Sequence, residues 1–400
     1  MMKRFLLMNA TIYAEKERIE QGYVLVENGK IVNVGPVSSL PDIKEVKVIE
    51  LDHHDCVVPG FIDVHIHGAA GSDVMDATKE ALQTMATVLP QEGTTSFLAT
   101  TMTAPSDDIE RALRNVADYI QFHNRPGEAE VIGIHLEGPF ISPKRAGAQH
   151  PGNIVEPNVE LFKKWQNIAN GHIRLVTLAP EEKHGLTLTA YLKEHGVVAS
   201  IGHSDAIYEE VIAAIQAGIT HATHLFNGMR GLHHREPGVA GAVLMHDEVL
   251  CEIIVDGIHV APEMVRFAYR NKGSDGIVLI TDAMRAKCLG AGVYELGGQE
   301  VTVQGERATL QDGTLAGSIL KLKDAVKKMM AFTGCSLEDI IRMAAWNPAK
   351  QLGLLDRKGS IRKGKDADLV VLNEHHEVVM TFCRGTLAYS KQGVFSDEAH

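Results

Sequence analysis

The sequence predicts an α/β fold. The expectation is a closed (β/α)8 TIM-like barrel over 57–356, with a small β-sandwich built from both chain termini, 1–56 and 357–400. Three observations carry it. Strand-like runs alternate with amphipathic helical segments eight times through the middle of the chain, as in a parallel sheet wrapped by helices. The two ends hold only short β-rich runs separated by turn signals. No Gly-rich fingerprint follows an early strand, which disfavours an open dinucleotide-binding sheet.

Taken in order, the N-terminal piece reads as strands in FLLMNATIYA, GYVLVENGKIVNVG and VKVIELDHHDC, with Asn28-Gly29 as a hairpin turn. Residues 359–390 repeat that texture. Neither piece makes a comfortable domain alone, so the two are expected to pair. Barrel strands are expected at 57–67, 94–100, 130–136, 173–179, 197–203, 221–226, 251–256 and 276–282. Between them, KEALQTMATVLPQEG, DDIERALRNVADYIQ and EEVIAAIQAG place apolar residues at helical spacing. Ser204-Asp205 reads as the N-cap of the last of these, and Gly218 as its stop. A long Pro/Gly-rich loop, 138–160, follows the third strand, and 283–318 carries a hairpin after the eighth; long loops at strand carboxyl ends belong to a barrel's active face. Two closing helices follow in LKDAVKKMM and LEDIIRMAAWNPAKQLGL, with Asn347-Pro348 starting a last short one.

Composition narrows the function. Four hundred residues, 45% hydrophobic and 22% charged, suit a soluble protein with a real core. A formal charge of −12 argues against a nucleic-acid or anionic-membrane partner, and any ligand phosphate would need a local basic or backbone N–H site. The five cysteines are scattered and lack C-x-x-C spacing, which indicates a reducing, cytoplasmic setting and no cysteine zinc cluster. The start, MMKRFLLMNATIY, is interrupted by Asn9 and lacks a cleavage signature, so it reads as a strand and neither as a signal peptide nor as a membrane span.

The chemistry starts at VVPGFIDVHIHG, 57–68. Its period of two puts Asp63, His65 and His67 on one strand face, with the two imidazoles about 6–7 Å apart along it. In a chain with 20 histidines, H-x-H alone is a weak signal. The other strand ends strengthen it: Glu137 follows the third strand, His203 ends the fifth, His224 lies near the end of the sixth, and Asp282 ends the eighth. A barrel brings these ends to one mouth. Four imidazoles and two carboxylates suit Zn, Fe, Mn or Co as divalent ions. Six ligands exceed one tetrahedral ion with an open position, so either two ions share a carboxylate or a second site is partly filled. HHREPG, 233–238, is a basic cluster near a strand end; Arg235 offers a fork for a phosphate, or pairs with Glu236 or Asp247 as a surface ion pair, and Gly228 offers a backbone N–H.

Over nearly its whole length the chain resembles the amidohydrolase superfamily and, within it, the N-acetylglucosamine-6-phosphate deacetylase family. PGFIDVHIHG is shared widely in the superfamily; HLEGPF, IGHSDA, THLFNGM, REPG, VDGIHV and LITDAM in this order are narrow. The resemblance implies that Glu137, His203 and His224 are the main metal ligands, with Glu137 bridging when two ions bind. It implies that His65 and His67, with Asp282, hold the second ion, and that Asp282 is also the catalytic carboxylate. Some relatives lack the H-x-H pair and use one ion; this chain has it, so two are expected. The likeness casts Arg235 as reaching across a homodimer to the neighbouring substrate phosphate, and Asn227, Gly228 and His259 as the rest of that pocket. Gln149 and His150 both stand near a position where relatives can carry a substrate-contacting histidine.

The implied reaction is metal-dependent hydrolysis of N-acetyl-D-glucosamine 6-phosphate, a small phosphorylated amino sugar, to D-glucosamine 6-phosphate and acetate in amino sugar catabolism. Its rivals are another amidohydrolase activity, such as N-acetylgalactosamine-6-phosphate deacetylation, and a non-catalytic metal-stabilised binding protein. The latter's mark would be loss of Asp282 or a ligand, and none is lost.

Overall fold

A computed structural model describes residues 4–42 and 45–391. The first three residues of the expected first strand and 392–400 of the C-terminal piece lie outside the described residues.

Eight parallel strands lie side by side in chain order: Phe61–Ile66, Thr94–Thr100, Glu130–Glu137, Ile173–Leu178, Val198–Ile201, Ile219–Ala222, Leu250–Ile254 and Ile277–Ile280. The eighth meets the first at the carboxyl ends, where Asp282 N–H donates to His65 O at 2.8 Å and His67 N–H to Ala283 O at 2.9 Å. All residues of the first three strands are buried, as a parallel sheet covered on both faces requires. The covering helices obey the helical period; Ser106–Phe122 buries Ile109, Ala112, Leu113, Val116 and Ala117. Truncating Leu113 to alanine there would cost about 2–5 kcal/mol.

Both termini enter one further sheet of eight strands. Thr386–Ser390, Val378–Cys383, Leu369–Leu372, Cys56–Pro59, Arg4–Tyr13, Arg18–Glu27 and Lys30–Pro36 lie in that order, with Lys47–Glu50 beside Arg4–Tyr13. The sheet curls over its own core, so that Phe5 from one end stacks on Phe382 from the other at 4.9 Å. Asn28 and Gly29 form the expected two-residue turn, with φ of 49° and 80°.

The structure corrects several boundaries. The strand expected at 57–67 is two strands. Cys56–Pro59 pairs with Leu369–Leu372 and Arg4–Tyr13 in the terminal sheet, and only Phe61–Ile66 enters the barrel. The change of sheet falls between Gly60, whose N–H still donates to Asp368 O at 2.9 Å, and Phe61, whose N–H donates to Gly93 O at 3.0 Å. Ser204 and Asp205 do not cap the next helix. That helix is Tyr208–Ala217, and Glu210 closes its start by accepting from Ile207 N–H. Gly218 stops it as expected. Asn347-Pro348 begins the short helix Asn347–Gln351 as expected, but with no break before it: a π-helical stretch, Arg342–Trp346, leads straight in. The wider turn accommodates the proline, and Asn347 Nδ2 donates to Ser274 O and Ile277 O.

The long insertions sit over the mouth. The hairpin expected in 283–318 is a three-stranded meander, Gly292–Leu296, Gln299–Gln304 and Arg307–Thr309. A small apolar cluster including Met102, Met284, Leu296 and Val301 holds it down. Among the described residues no helix is long and apolar enough to cross a membrane.

Candidate metal centre

The mouth is built by residues that have just left the barrel ladder. His203, His224 and Asp282 each lie two positions beyond the last residue of their strands, Ile201, Ala222 and Ile280, and all three have positive φ: 48°, 32° and 48°. Such conformations cost roughly 1–3 kcal/mol each and persist where surrounding structure enforces them. His67 follows Ile66 directly, and Glu137 ends its own strand.

Glu137 is the centre. Its Oε1 lies 3.2 Å from His203 Nε2, 3.2 Å from His224 Nε2 and 3.4 Å from His65 Nε2, and its Oε2 lies 3.2 Å from His67 Nε2. Two buried triads result, Glu137–His203–His224 and Glu137–His65–His67, and they share this carboxylate. Asp282 Oδ1 stands 3.3 Å from His67 Nε2 and 3.4 Å from His65 Nε2.

Hydrogen bonds fix which ring nitrogens face inward. His203 Nδ1 lies 2.8 Å from Arg145 O, and His65 Nδ1 lies 2.9 Å from Glu252 Oε2. A carbonyl and a carboxylate only accept, so both Nδ1 atoms carry hydrogen. In the neutral rings the Nε2 lone pairs then point at Glu137, and His203 Nε2 and His224 Nε2 lie 3.1 Å apart. The His203 and His65 lone pairs thus face a carboxylate, an arrangement that repels unless a proton or a cation lies between them. His65 Nε2, His67 Nδ1 and His224 Nδ1 are buried without a hydrogen-bond partner. The donor set therefore fits one or two divalent metal ions of the Zn, Fe, Mn or Co kind.

Electrostatics agree. Burial opposes charge on His65, yet Asp282, Glu137 and Glu252 raise its pKa well above the usual value. Burial likewise opposes charge on His67, and bonds to Asp282 and Glu137 lift it to about 9. Burial would raise Glu137, but His65, His203 and His224 hold it well below the carboxylate range. The pull that would protonate these rings is the pull that binds a metal cation.

A cavity of about 220 Å³ opens over the cluster, and Gln149, Asn227, Gly228 and His259 line it beside the ligands. Gln149 is buried; its Nε2 donates to Glu137 Oε2 at 2.8 Å, and its Oε1 accepts from Thr103 N–H at 2.8 Å. His150 is exposed instead and accepts from Gly152 N–H. Gly228 has φ of 56°, and a Cβ there would stand 3.0 Å from His203 Nδ1, so a side chain would be strained and would crowd that imidazole. His259 is held by Asp256, whose Oδ2 lies 2.6 Å from its Nδ1. Arg235 is exposed and outside its own chain's cavity, with Nη1 2.8 Å from His234 Nε2. Asp63, on the face expected to join the cluster, instead accepts from Thr281 Oγ1 at 2.5 Å.

Sequence reasoning missed the layer beneath. Glu252, His221 and His135 are all buried there. Burial and nearby His65 push His135 down to about 3, so it stays neutral. A lone acid inside the apolar run Leu250–Ile254 was the one available signal.

Residues 56–388 match the amidohydrolase family. Over 391 residues the chain is 49% identical to the N-acetylglucosamine-6-phosphate deacetylase of Bacillus subtilis, covering 97% of this chain and 98% of that one. It is 36% identical to the N-acetylgalactosamine-6-phosphate deacetylase of Escherichia coli, covering 95% and 100%. A solved mutant N-acetyl-D-glucosamine-6-phosphate deacetylase from Mycobacterium smegmatis, in complex with N-acetyl-D-glucosamine-6-phosphate, aligns with a TM-score of 0.90 at 33% identity, covering 97% of this chain and all of that one.

Proposed function

The chain belongs to the amidohydrolase family, and from that membership we propose that it hydrolyses the acetamido group of N-acetyl-D-glucosamine 6-phosphate, in amino sugar catabolism. The observation that carries this reading is one carboxylate, Glu137, shared by two imidazole pairs with Asp282 beside them.

In this reading Glu137, His203 and His224 would hold the principal ion, and His65, His67 and Asp282 would join Glu137 around a second. A bound divalent ion acidifies water and polarises the amide carbonyl. Asp282 takes the proton of the attacking water and delivers it to the amide nitrogen, which leaves as the amine while the acetyl carbon departs as acetate. Gln149 orients Glu137 by its amide hydrogen bond and faces substrate from the same wall. Asn227, Gly228 and His259 border the sugar phosphate, with His259 fixed by Asp256.

The exposed Arg235 supports a homodimer in which it reaches the substrate phosphate of the neighbouring subunit. Leu232 and Met245, 52% and 57% exposed, are apolar side chains suited to such a contact. All five cysteines are free thiols, which suits the cytoplasm.

The 36% identity to the galactosamine enzyme favours one rival, the C4 epimer of the same substrate. Acetate release from the two 6-phospho-N-acetylhexosamines and from unphosphorylated N-acetylglucosamine separates the readings. The expected order puts N-acetylglucosamine 6-phosphate first. Faster turnover of the galactosamine ester would transfer the assignment to it, and equal turnover without phosphate would remove the phosphate pocket.

A further inference from the structure

Glu252 is fully buried in the seventh barrel strand, one layer below the mouth. Its Oε2 accepts from His65 Nδ1 at 2.9 Å and from His224 N–H at 3.2 Å, and its Oε1 accepts from His221 Nε2 at 3.1 Å. One carboxylate thus grips a side chain of one triad and the backbone of the other. We propose that Glu252 is a positioning residue that fixes His65 as a ligand and makes binding of the second ion possible. The inference rests on the two-ion reading above.

Tautomer is the first argument. With Nδ1–H committed to Glu252, His65 presents a bare Nε2 to Glu137 and Asp282, each 3.4 Å away. His67, its partner on the same strand, has no such anchor, because its Nδ1 is without a hydrogen-bond partner. Orientation of the H-x-H pair therefore depends on His65.

Charge is the second. The ion pairs of Glu252 among the described residues are with His65 and His221, not with lysine or arginine. A buried carboxylate without a fixed cation is costly, and a metal ion held one imidazole away offsets that cost. The linkage is reciprocal: the ion stabilises Glu252 as much as Glu252 stabilises the ion.

His65, His135 and Glu252 also lie close enough to invite a third ion. The existing bonds argue against it. His135 Nδ1 faces Val64 O at 3.1 Å, its Nε2 faces Thr177 Oγ1 at 2.7 Å, and both Glu252 oxygens are already engaged. An ion there would have to break this set.

The test titrates metal-stripped wild type, Glu252→Gln and His221→Asn with Zn²⁺ against a chelating indicator, with elemental analysis for stoichiometry and thermal melts for folding. Wild type should take two ions. Glu252→Gln should keep the first ion's affinity and lose about 10–100-fold for the second. His221→Asn, which removes only the contact to the other oxygen, should keep both. Two ions in wild type with no change in Glu252→Gln overturns this inference alone. Equal weakening of both ions, or the same loss in His221→Asn, marks general softening and also overturns it. A wild-type stoichiometry of one overturns the two-ion reading and this inference together. If Glu252→Gln does not fold, Glu252→Asp carries the same expectation, since it withdraws the carboxylate by one methylene.

Discussion

The barrel strand Glu130–Glu137 carries a buried glutamate at each end, and the molecule uses them in opposite ways. Glu130, at the amino end, meets Arg357 Nη2 at 2.9 Å and Lys358 Nζ at 2.7 Å. Lys358 also meets Asp368 at 2.5 Å, Arg357 meets Asp366 at 3.1 Å, and Lys30 meets Asp366 at 2.6 Å. Fixed cations from the chain's last third and from Lys30, which begins the strand Lys30–Pro36, thus pair with the carboxylates and tie the barrel to the terminal sheet. Glu137, at the carboxyl end, has ion pairs among the described residues only with histidines, which we propose as metal ligands. The same residue type on one strand is structural where lysine and arginine are supplied and, in the proposed reading, chemical where the missing positive charge would come from a bound ion. This is the division of labour of barrel faces, stability below and chemistry above.

The largest expected effect is at Glu137. Glu137→Gln should weaken both ions and lower turnover by roughly 10³-fold or more, since a Lewis acid contributes several kcal/mol and each 1.36 kcal/mol is tenfold. Its melting temperature without added metal should hardly fall. Asp282→Asn should retain most metal while kcat drops about 10²–10⁴-fold, the range for a positioned acid–base group. Elemental analysis beside acetate release separates the two variants, and near-normal kcat in Asp282→Asn would remove its assigned role.

Glu130→Gln should reverse that profile. Breaking one partner of a buried pair costs about 3–5 kcal/mol, read by urea denaturation, while kcat per folded molecule stays near wild type. Loss of activity without loss of stability there would break the comparison. Replacing His65 and His67 together should reduce bound metal from two ions to one while leaving the fold, with stoichiometry as the readout.

Much of this contrast was legible in the sequence, and the limits are physical. Period two placed His65 and His67 together, and strand ends in a closed barrel must converge, so Glu137, His203, His224 and Asp282 could be gathered without coordinates. The backbone turn that aims the last three could not, because a positive φ at histidine or aspartate leaves no compositional trace. Glu130 looked like an ordinary strand residue, since its partners Arg357 and Lys358 lie more than two hundred positions away. Cys56–Pro59 and Phe61–Ile66 read as one strand because both are rich in strand-forming residues; only pairing separates them.

The smallest effect sharpens the contrast through pH. Burial opposes ionisation of Glu130, but Lys358 and Arg357 lower its pKa to about 2. A depressed folded-state pKa contributes stability that is present above the unfolded value, near 4.5, and is lost as pH falls toward 2. The stability gap between wild type and Glu130→Gln, from urea midpoints, should therefore shrink between those pH values. A gap independent of pH there would mean that packing, rather than charge, accounts for Glu130.

The central claim is that Glu137 is the carboxylate on which metal and chemistry both depend. Its most direct test is to strip metal from wild type, Glu130→Gln and Glu137→Gln, then add Zn²⁺ back while following acetate release from N-acetylglucosamine 6-phosphate. Wild type and folded Glu130→Gln should start inactive and recover with the ions, while Glu137→Gln stays inactive. Full recovery of Glu137→Gln, or undiminished activity in stripped wild type, would contradict the account.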